Sequence, residues 1–141
     1  PGATHVSMAD PYCPELRDLV IKTCSLLDLA THPLGTVVVI QGPRFSTRAE
    51  SRWFRESGWQ VINMTQYPEV NLAREQEICY CNVSLVTDYD VWAHEPVSAE
   101  EVTKLLRQNI DKLKGIIKTA VPEVPKSRGC ACSRALQSAK I

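Results

Sequence analysis

The run Val37-Val38-Val39-Ile40 limits most sharply how this chain can fold. Four consecutive β-branched residues, bounded by Gly35 and by Gly42-Pro43, disfavour a helix and predict a short strand that is apolar on both faces. Such a strand sits inside a sheet with helices over both surfaces. The surrounding sequence offers those helices. Pro14 suits a first helical turn, and Leu16, Leu19, Val20, Cys24 and Leu27 follow at three- and four-residue spacing, predicting a helix over 14–30. Thr47-Arg48-Ala49-Glu50 has the spacing of a capping box, with Gly58 as the stop signal after about Glu56.

Further along, Gln60 to Asn63 reads as a second strand, Pro68 to about Gln76 as a short helix, and Ile78 to Thr87 as a third strand. Ser98-Ala99-Glu100-Glu101 is another capping box. It opens a long helix whose apolar stripe is Val102, Leu106, Ile110, Leu113, Ile117 and Ala120. The expected fold class is therefore α/β, with a mixed β-sheet flanked by helices on both faces and ligands near the carboxyl ends of its strands. Residues 1–121 form part of one domain in this reading, and 122–141 a loosely structured tail bearing Cys130-Ala131-Cys132. Three strands make a thin sheet, so further strands are expected from an amino-terminal part or another chain.

At 141 residues, 44% of them hydrophobic, the chain has the content of a globular domain or a piece of one. Its 16 basic and 16 acidic side chains balance to a formal net charge of zero, which argues against a nucleic-acid partner held by phosphate neutralisation. No apolar run approaches the roughly 18 residues that cross a bilayer, and no secretory signal opens the chain. The expectation is a cytoplasmic protein without a membrane partner. Pro1 in place of Met points to a chain cut from something longer.

Two strand ends hold polar residues that packing does not explain. Asn63-Met64-Thr65 follows the second strand and Thr87-Asp88-Tyr89-Asp90 the third. Asp88 and Asp90 suit a site, and they also suit turns or helix caps. Asn63 and Thr65 are equally plausible loop formers. The turn Gly42-Pro43-Arg44-Phe45-Ser46 leads into a helix amino terminus, where free N–H groups and Arg44 suit an anion.

Taken together and in order, Gly42-Pro43-Arg44-Phe45-Ser46-Thr47-Arg48-Ala49-Glu50, Val61-Ile62-Asn63-Met64-Thr65, Pro68-Glu69-Val70 and Val86-Thr87-Asp88-Tyr89-Asp90 closely resemble the 5'-methylthioadenosine phosphorylase family. That family belongs with the trimeric purine nucleoside phosphorylases. The resemblance runs from about His5 to the last long helix and corresponds to the family's carboxyl-terminal half.

It implies a phosphorylase-like fold and cleavage of a nucleoside by phosphate, with phosphate as co-substrate and with neither metal nor organic cofactor. Asp88 would be the catalytic carboxyl group, donating to purine N7 and accepting from the 6-amino group once burial keeps it protonated, and Asp90 would assist. The related 6-oxopurine enzymes carry Asn at the position of Asp88 and Glu at that of Ser46, so the aspartate favours adenine. Phe45 would wall the base, although without the resemblance it reads equally as core. Met64 would pack on base and ribose, where a lone Met more often fills a core. Ile62, Asn63 and Thr87 would line the same pocket segment, and the Thr65 hydroxyl would bind phosphate. His5, on bare sequence a surface residue, would reach across a subunit contact towards the 5' end of the nucleoside, opposite Val102 and Thr103. The family is more apolar at the second of these, so Thr103 opens the site to adenosine.

The family's phosphate loop and its Arg-His pair lie upstream of the matching segment. The partners implied are a nucleoside, phosphate, the amino-terminal half of the same enzyme, and further copies in a trimer or a dimer of trimers. On its own this chain is expected to be neither stably folded nor active. A broader-specificity purine nucleoside phosphorylase, a non-catalytic nucleoside-binding module and a Cys-x-Cys redox protein are the alternatives.

Cys13, Cys24, Cys79, Cys81, Cys130 and Cys132 make an even count, which permits 15 pairings. On a strand Cys79 and Cys81 share one face and would pair with distant partners or with none. Neither Cys-x-Cys has a second ligand pair of the usual zinc spacing in sequence, so stabilising disulfides in a thermophile enzyme are expected in preference to a metal.

Overall fold

The computed structural model describes residues 3–90, 97–137 and 139 of the chain; Pro1 and the end of the tail at Ile141 lie outside them. The elements run α1 (Pro14–Leu26), β1 (Val37–Val39), α2 (Arg48–Glu56), β2 (Val61–Asn63), α3 (Gln66–Glu75) and α4 (Ala99–Ala120), followed by 3-10 turns at Val121–Glu123 and Ala131–Arg134. They fall into two compact units. The first comprises Pro1–Thr31, Gln66–Val83 and Ile116–Ile141, and the second His32–Thr65 and Ser84–Gly115.

In the second unit β1 and β2 pair in parallel, with Val37 opposite Val61, Val38 opposite Ile62 and Val39 opposite Asn63. The Ile40 N–H extends the ladder by donating to the Asn63 carbonyl at 2.9 Å. The connection between the strands is α2, so this is a strand, helix, parallel strand unit of the kind that buries a sheet under a crossover. Phe54 on α2 is buried, and Trp53, Phe54 and Trp59 pack with ring centroids 5.5 to 6.0 Å apart. Val37, Val38 and Val39 are only half-buried, because each strand has one ladder neighbour among the described residues rather than two.

The third strand expected over 78–87 does not form a ladder among the described residues. A β-rich segment becomes a strand only when a neighbour takes its N–H and C=O groups. Here β1 and β2 pair with each other, and the Tyr80 carbonyl instead accepts from the Cys13 N–H at 2.8 Å. The ladder present is parallel, and the antiparallel member of a mixed sheet is not among the described residues.

Helix ends follow local chemistry. α1 stops at Leu26 rather than at residue 30 because Asp28 takes a left-handed conformation, φ 52°, and the Leu29 N–H returns to the Cys24 carbonyl. α2 ends in the same way at Gly58, φ 73°, with the Trp59 N–H bonded to the Phe54 carbonyl. In α4 the Glu101 N–H donates to Ser98 Oγ at 3.1 Å, as the capping spacing predicts. Of its expected apolar stripe, Ala120 is buried and Val102 and Leu113 are half-buried, while Leu106, Ile110 and Ile117 are 44 to 51% exposed; Ile116, outside the stripe, is buried.

The first unit contradicts the expectation of a loose tail. Cys130 and Cys132 are buried against Cys13, with Leu16 and Cys79 packed alongside. Two hydrogen bonds fix the tail to the end of α3: Arg128 Nη1 donates to the Glu77 carbonyl at 2.7 Å, and the Leu136 N–H to Glu77 Oε1 at 3.1 Å.

The amino terminus of α2 is held by charge. Thr47 Oγ1 accepts from the Glu50 N–H, Glu50 Oε2 accepts from the Thr47 N–H, and Arg44 grips both Glu50 oxygens at 2.7 and 2.8 Å. Arg44 is thereby engaged, which removes the anion site expected of it on sequence. The Arg44 hydrogen bonds, followed by those from Thr47, hold the Glu50 carboxyl down at about 2. A depressed folded-state value means that this cap stabilises fully above the ordinary carboxyl range and is lost as pH falls from about 4.5 through about 2. Protection factors of the α2 amides, referred to intrinsic exchange at each pH, should therefore fall over that interval, and Glu50→Gln should flatten the dependence. An unchanged pH profile in the variant would contradict the assignment.

Candidate active site

Parallel pairing brings the turns after β1 and β2 to the same sheet end, where ligands bind in α/β folds. The contact there is close: a Cβ added at Gly42 would lie 2.9 Å from Met64 Sδ. A glycine at that point lets Met64 pack across the first turn. Phe45, in the first turn, is 41% exposed, so no core among the described residues buries it. The next residue, Ser46, is buried, and its Oγ has no hydrogen-bond partner among the described residues.

In the second turn, Asn63 Oδ1 accepts from the Thr65 N–H at 2.6 Å and lies 3.3 Å from Thr65 Oγ1. This is the local turn that an Asn side chain builds, so the loop-forming role of Asn63 is realised. Ile62 and Asn63 are successive strand residues, so their side chains point to opposite faces of β2.

The two carboxylates belong to the same unit. Thr87 Oγ1 donates to Asp88 Oδ2 at 2.8 Å, and the Asp90 N–H donates to Asp88 Oδ1 at 2.9 Å. Ser51 Oγ donates to Asp90 Oδ2. Asp90 is half-buried with φ 57°, a conformation that Asp tolerates better than most residues. Asp88 is exposed. The burial expected of it is not supplied by the described residues.

Val102 is half-buried and Thr103 exposed on the first turns of α4. Thr103 Oγ1 donates to the Ala99 carbonyl at 2.7 Å, which commits its hydrogen to the helix. His5 is exposed and belongs to the other unit, where its N–H donates to the Ala139 carbonyl at 2.7 Å. Ser51 escaped sequence reasoning. Its signal is modest: a small polar residue three positions before Phe54, on the buried side of α2.

A second cluster lies in the first unit. The Sγ atoms of Cys13, Cys79, Cys130 and Cys132 all lie within 4.8 Å of one another, with Cys79 and Cys130 at 3.5 Å. The fold thus assembles four thiols that sequence spacing kept apart. A tetrahedral zinc with Zn–S of about 2.3 Å has S···S edges of roughly 3.8 Å, so these residues could hold such an ion or close into disulfides. Burial raises the Cys79 thiol and pushes Cys132 up to about 12. At Cys130 burial acts in the same direction but is outweighed by hydrogen bonds from the Cys132 backbone and the neighbouring thiols, which bring it below the ordinary value.

No described helix is long and apolar enough to cross a membrane. Comparison with known proteins agrees with the α/β arrangement. The chain is 51% identical over its whole length to an S-methyl-5'-thioadenosine phosphorylase of Thermofilum pendens, covering 54% of that protein. It is 54% identical over 98% of its length to the Pyrococcus horikoshii enzyme of the same name, covering 53% of it. In structure it superposes on a methylthioadenosine phosphorylase from an antarctic soil metagenomic library with a TM-score of 0.89 at 40% identity, covering 99% of this chain and 51% of that one. The chain therefore spans about half the length of the curated relatives it matches. The Phosphorylase superfamily profile matches residues 1–122, and with a phosphorylase-like α/β fold the chain belongs to that superfamily.

Proposed function

We propose that this chain supplies the base-binding and 5' walls of a site that cleaves 5'-methylthioadenosine with phosphate, giving adenine and 5-methylthioribose 1-phosphate. The observation that carries this reading is the Thr87, Asp88, Asp90 loop. Its carboxylates are hydrogen-bonded in place and tied through Ser51 to α2, the helix that follows the turn bearing Phe45. The relatives of known name support the substrate class.

Phosphorolysis passes through a ribosyl cation, and negative charge develops on the departing purine. Asp88 meets the purine imidazole edge, one carboxyl oxygen donating towards N7 and the other accepting from the 6-amino group, with Asp90 beside it. Phe45 and Met64 enclose the base, with Ile62, Asn63 and Thr87 on the adjoining pocket segments. The Thr65 hydroxyl takes a phosphate oxygen. Val102 and Thr103 line the 5' pocket, which His5 of another copy reaches across a subunit contact, and the commitment of the Thr103 hydrogen to Ala99 leaves an alkylthio group undisturbed. No metal or organic cofactor enters these steps.

The site is completed in this reading by the enzyme's amino-terminal half. Leu26 at 80%, Leu34 at 74% and Val86 at 64% exposure are large apolar surfaces of the sort that another polypeptide covers. The assembled enzyme works as a cytoplasmic trimer or dimer of trimers.

In enzyme assembled from this chain and its amino-terminal half, phosphate-dependent adenine release from methylthioadenosine should exceed base release from inosine. Asp88→Ala should lower kcat by about a hundredfold or more while KM changes little. Loss of affinity alone would identify a binding module, and equal cleavage of inosine a broader phosphorylase.

The four-thiol cluster closes into disulfides in the same reading, each removing two hydrogen atoms to an external oxidant. The 3.5 Å approach of the Cys79 and Cys130 sulfur atoms supports this reading. Each bond stabilises by about 2 to 4 kcal/mol. Reductant should lower the melting temperature and raise the count of titratable thiols. An unmoved melting temperature, or stoichiometric zinc in the purified protein, would refute it.

A further inference from the structure

Ser51 is 1% exposed on α2, and its hydroxyl donates to the Asp90 carboxylate across 39 residues of sequence. We propose that Ser51 is a positioning residue for base selection: it aims the Asp90 carboxylate and, through Asp90, the Asp88 carboxylate at the 6-position of the purine.

This rests on the reading of Asp88 and Asp90 as the base-recognition pair. Asp90 is in the left-handed region with φ 57°, where a non-glycine residue stays only when its surroundings hold it. Ser51 is a side-chain tie on that carboxylate, and it comes from a helix rather than from the loop itself. The Asp90 N–H in turn donates to Asp88 Oδ1, so the angle of Asp90 sets where one oxygen of Asp88 lies. The other oxygen is fixed by Thr87 Oγ1. A rigid element thus orients two carboxylates that a free loop would leave to swing, and a carboxylate selects a 6-amino over a 6-oxo purine only when its oxygens face the amino hydrogens. The helix itself is capped independently by Thr47 and Glu50, so the Ser51 hydroxyl is not required to start α2.

The test compares kcat/KM for methylthioadenosine and methylthioinosine in the assembled enzyme, for the parent, Ser51→Ala, Asp90→Ala and the double variant. Ser51→Ala should lower kcat/KM for methylthioadenosine about tenfold and reduce the preference over methylthioinosine, since a hydrogen bond to a charged group is worth roughly that factor or more. In the Asp90→Ala background the same change should cost less than about twofold, because its target is gone. Equal losses in both backgrounds, or an unaltered selectivity ratio, overturn the proposal and leave Ser51 a packing residue. Should Ser51→Ala fail to fold, Ser51→Cys keeps the volume with a weak donor. It should fold and lose selectivity, and parent-like selectivity in it would likewise overturn the proposal. A parent with no phosphate-dependent cleavage would instead refute the nucleoside phosphorylase reading itself.

Discussion

Three paired residues on each of two short strands decide where the candidate site lies. Because Val37, Val38 and Val39 pair in parallel with Val61, Ile62 and Asn63, both strands deliver their following turns to the same end. An antiparallel pairing would have sent them to opposite ends. The register also sets the finer detail. With Val39 opposite Asn63, residues a few positions on meet as Gly42 and Met64, close enough that a side chain at Gly42 would displace the thioether. The aromatic ring of Phe45 and the start of α2 follow from that turn, and the Asp90 carboxylate is anchored to α2 in its turn.

The other unit is organised around sulfur rather than around a broad apolar core. Cys13 directly precedes α1, Cys79 follows α3, and Cys130 and Cys132 arrive from the far end of the chain, yet their sulfur atoms converge. Each comes from a segment whose backbone is already fastened: Cys13 to Tyr80, and the tail to Glu77 through Arg128 and Leu136. A cluster so placed links three distant parts of the sequence. Covalent closure would act mainly on the unfolded chain, by shortening the loops between those parts.

What could be read from sequence was whatever local chemistry decides. The capping box at Thr47 and Glu50, the stop at Gly58 and the capping serine before α4 all appear where their spacing put them. The β-branched run became a strand. Its depth did not follow, because burial depends on neighbours that the run itself cannot specify. The same reason undid the strand expected at 78–87, a segment with strand composition and no ladder partner among the described residues. Motif resemblance singled out Asp88, Asp90 and Met64 as candidates, whereas Ser51 was not visible, since its hydrogen bond to Asp90 spans 39 residues. The tail was misjudged because Cys130-Ala131-Cys132 looks like surface until the fold brings Cys13 and Cys79 to it.

An exposed Asp88, half-buried strands and bare apolar side chains on α4 share one physical explanation in the proposed reading: they are surfaces for a further polypeptide to cover. Removing water from the carboxylate would strengthen its hold on a purine edge. The most direct measurement is steady-state, phosphate-dependent adenine release by the 141-residue chain alone and by the same chain assembled with its amino-terminal half. Turnover only in the assembled enzyme is the result this account predicts. Comparable turnover by the isolated chain would contradict it.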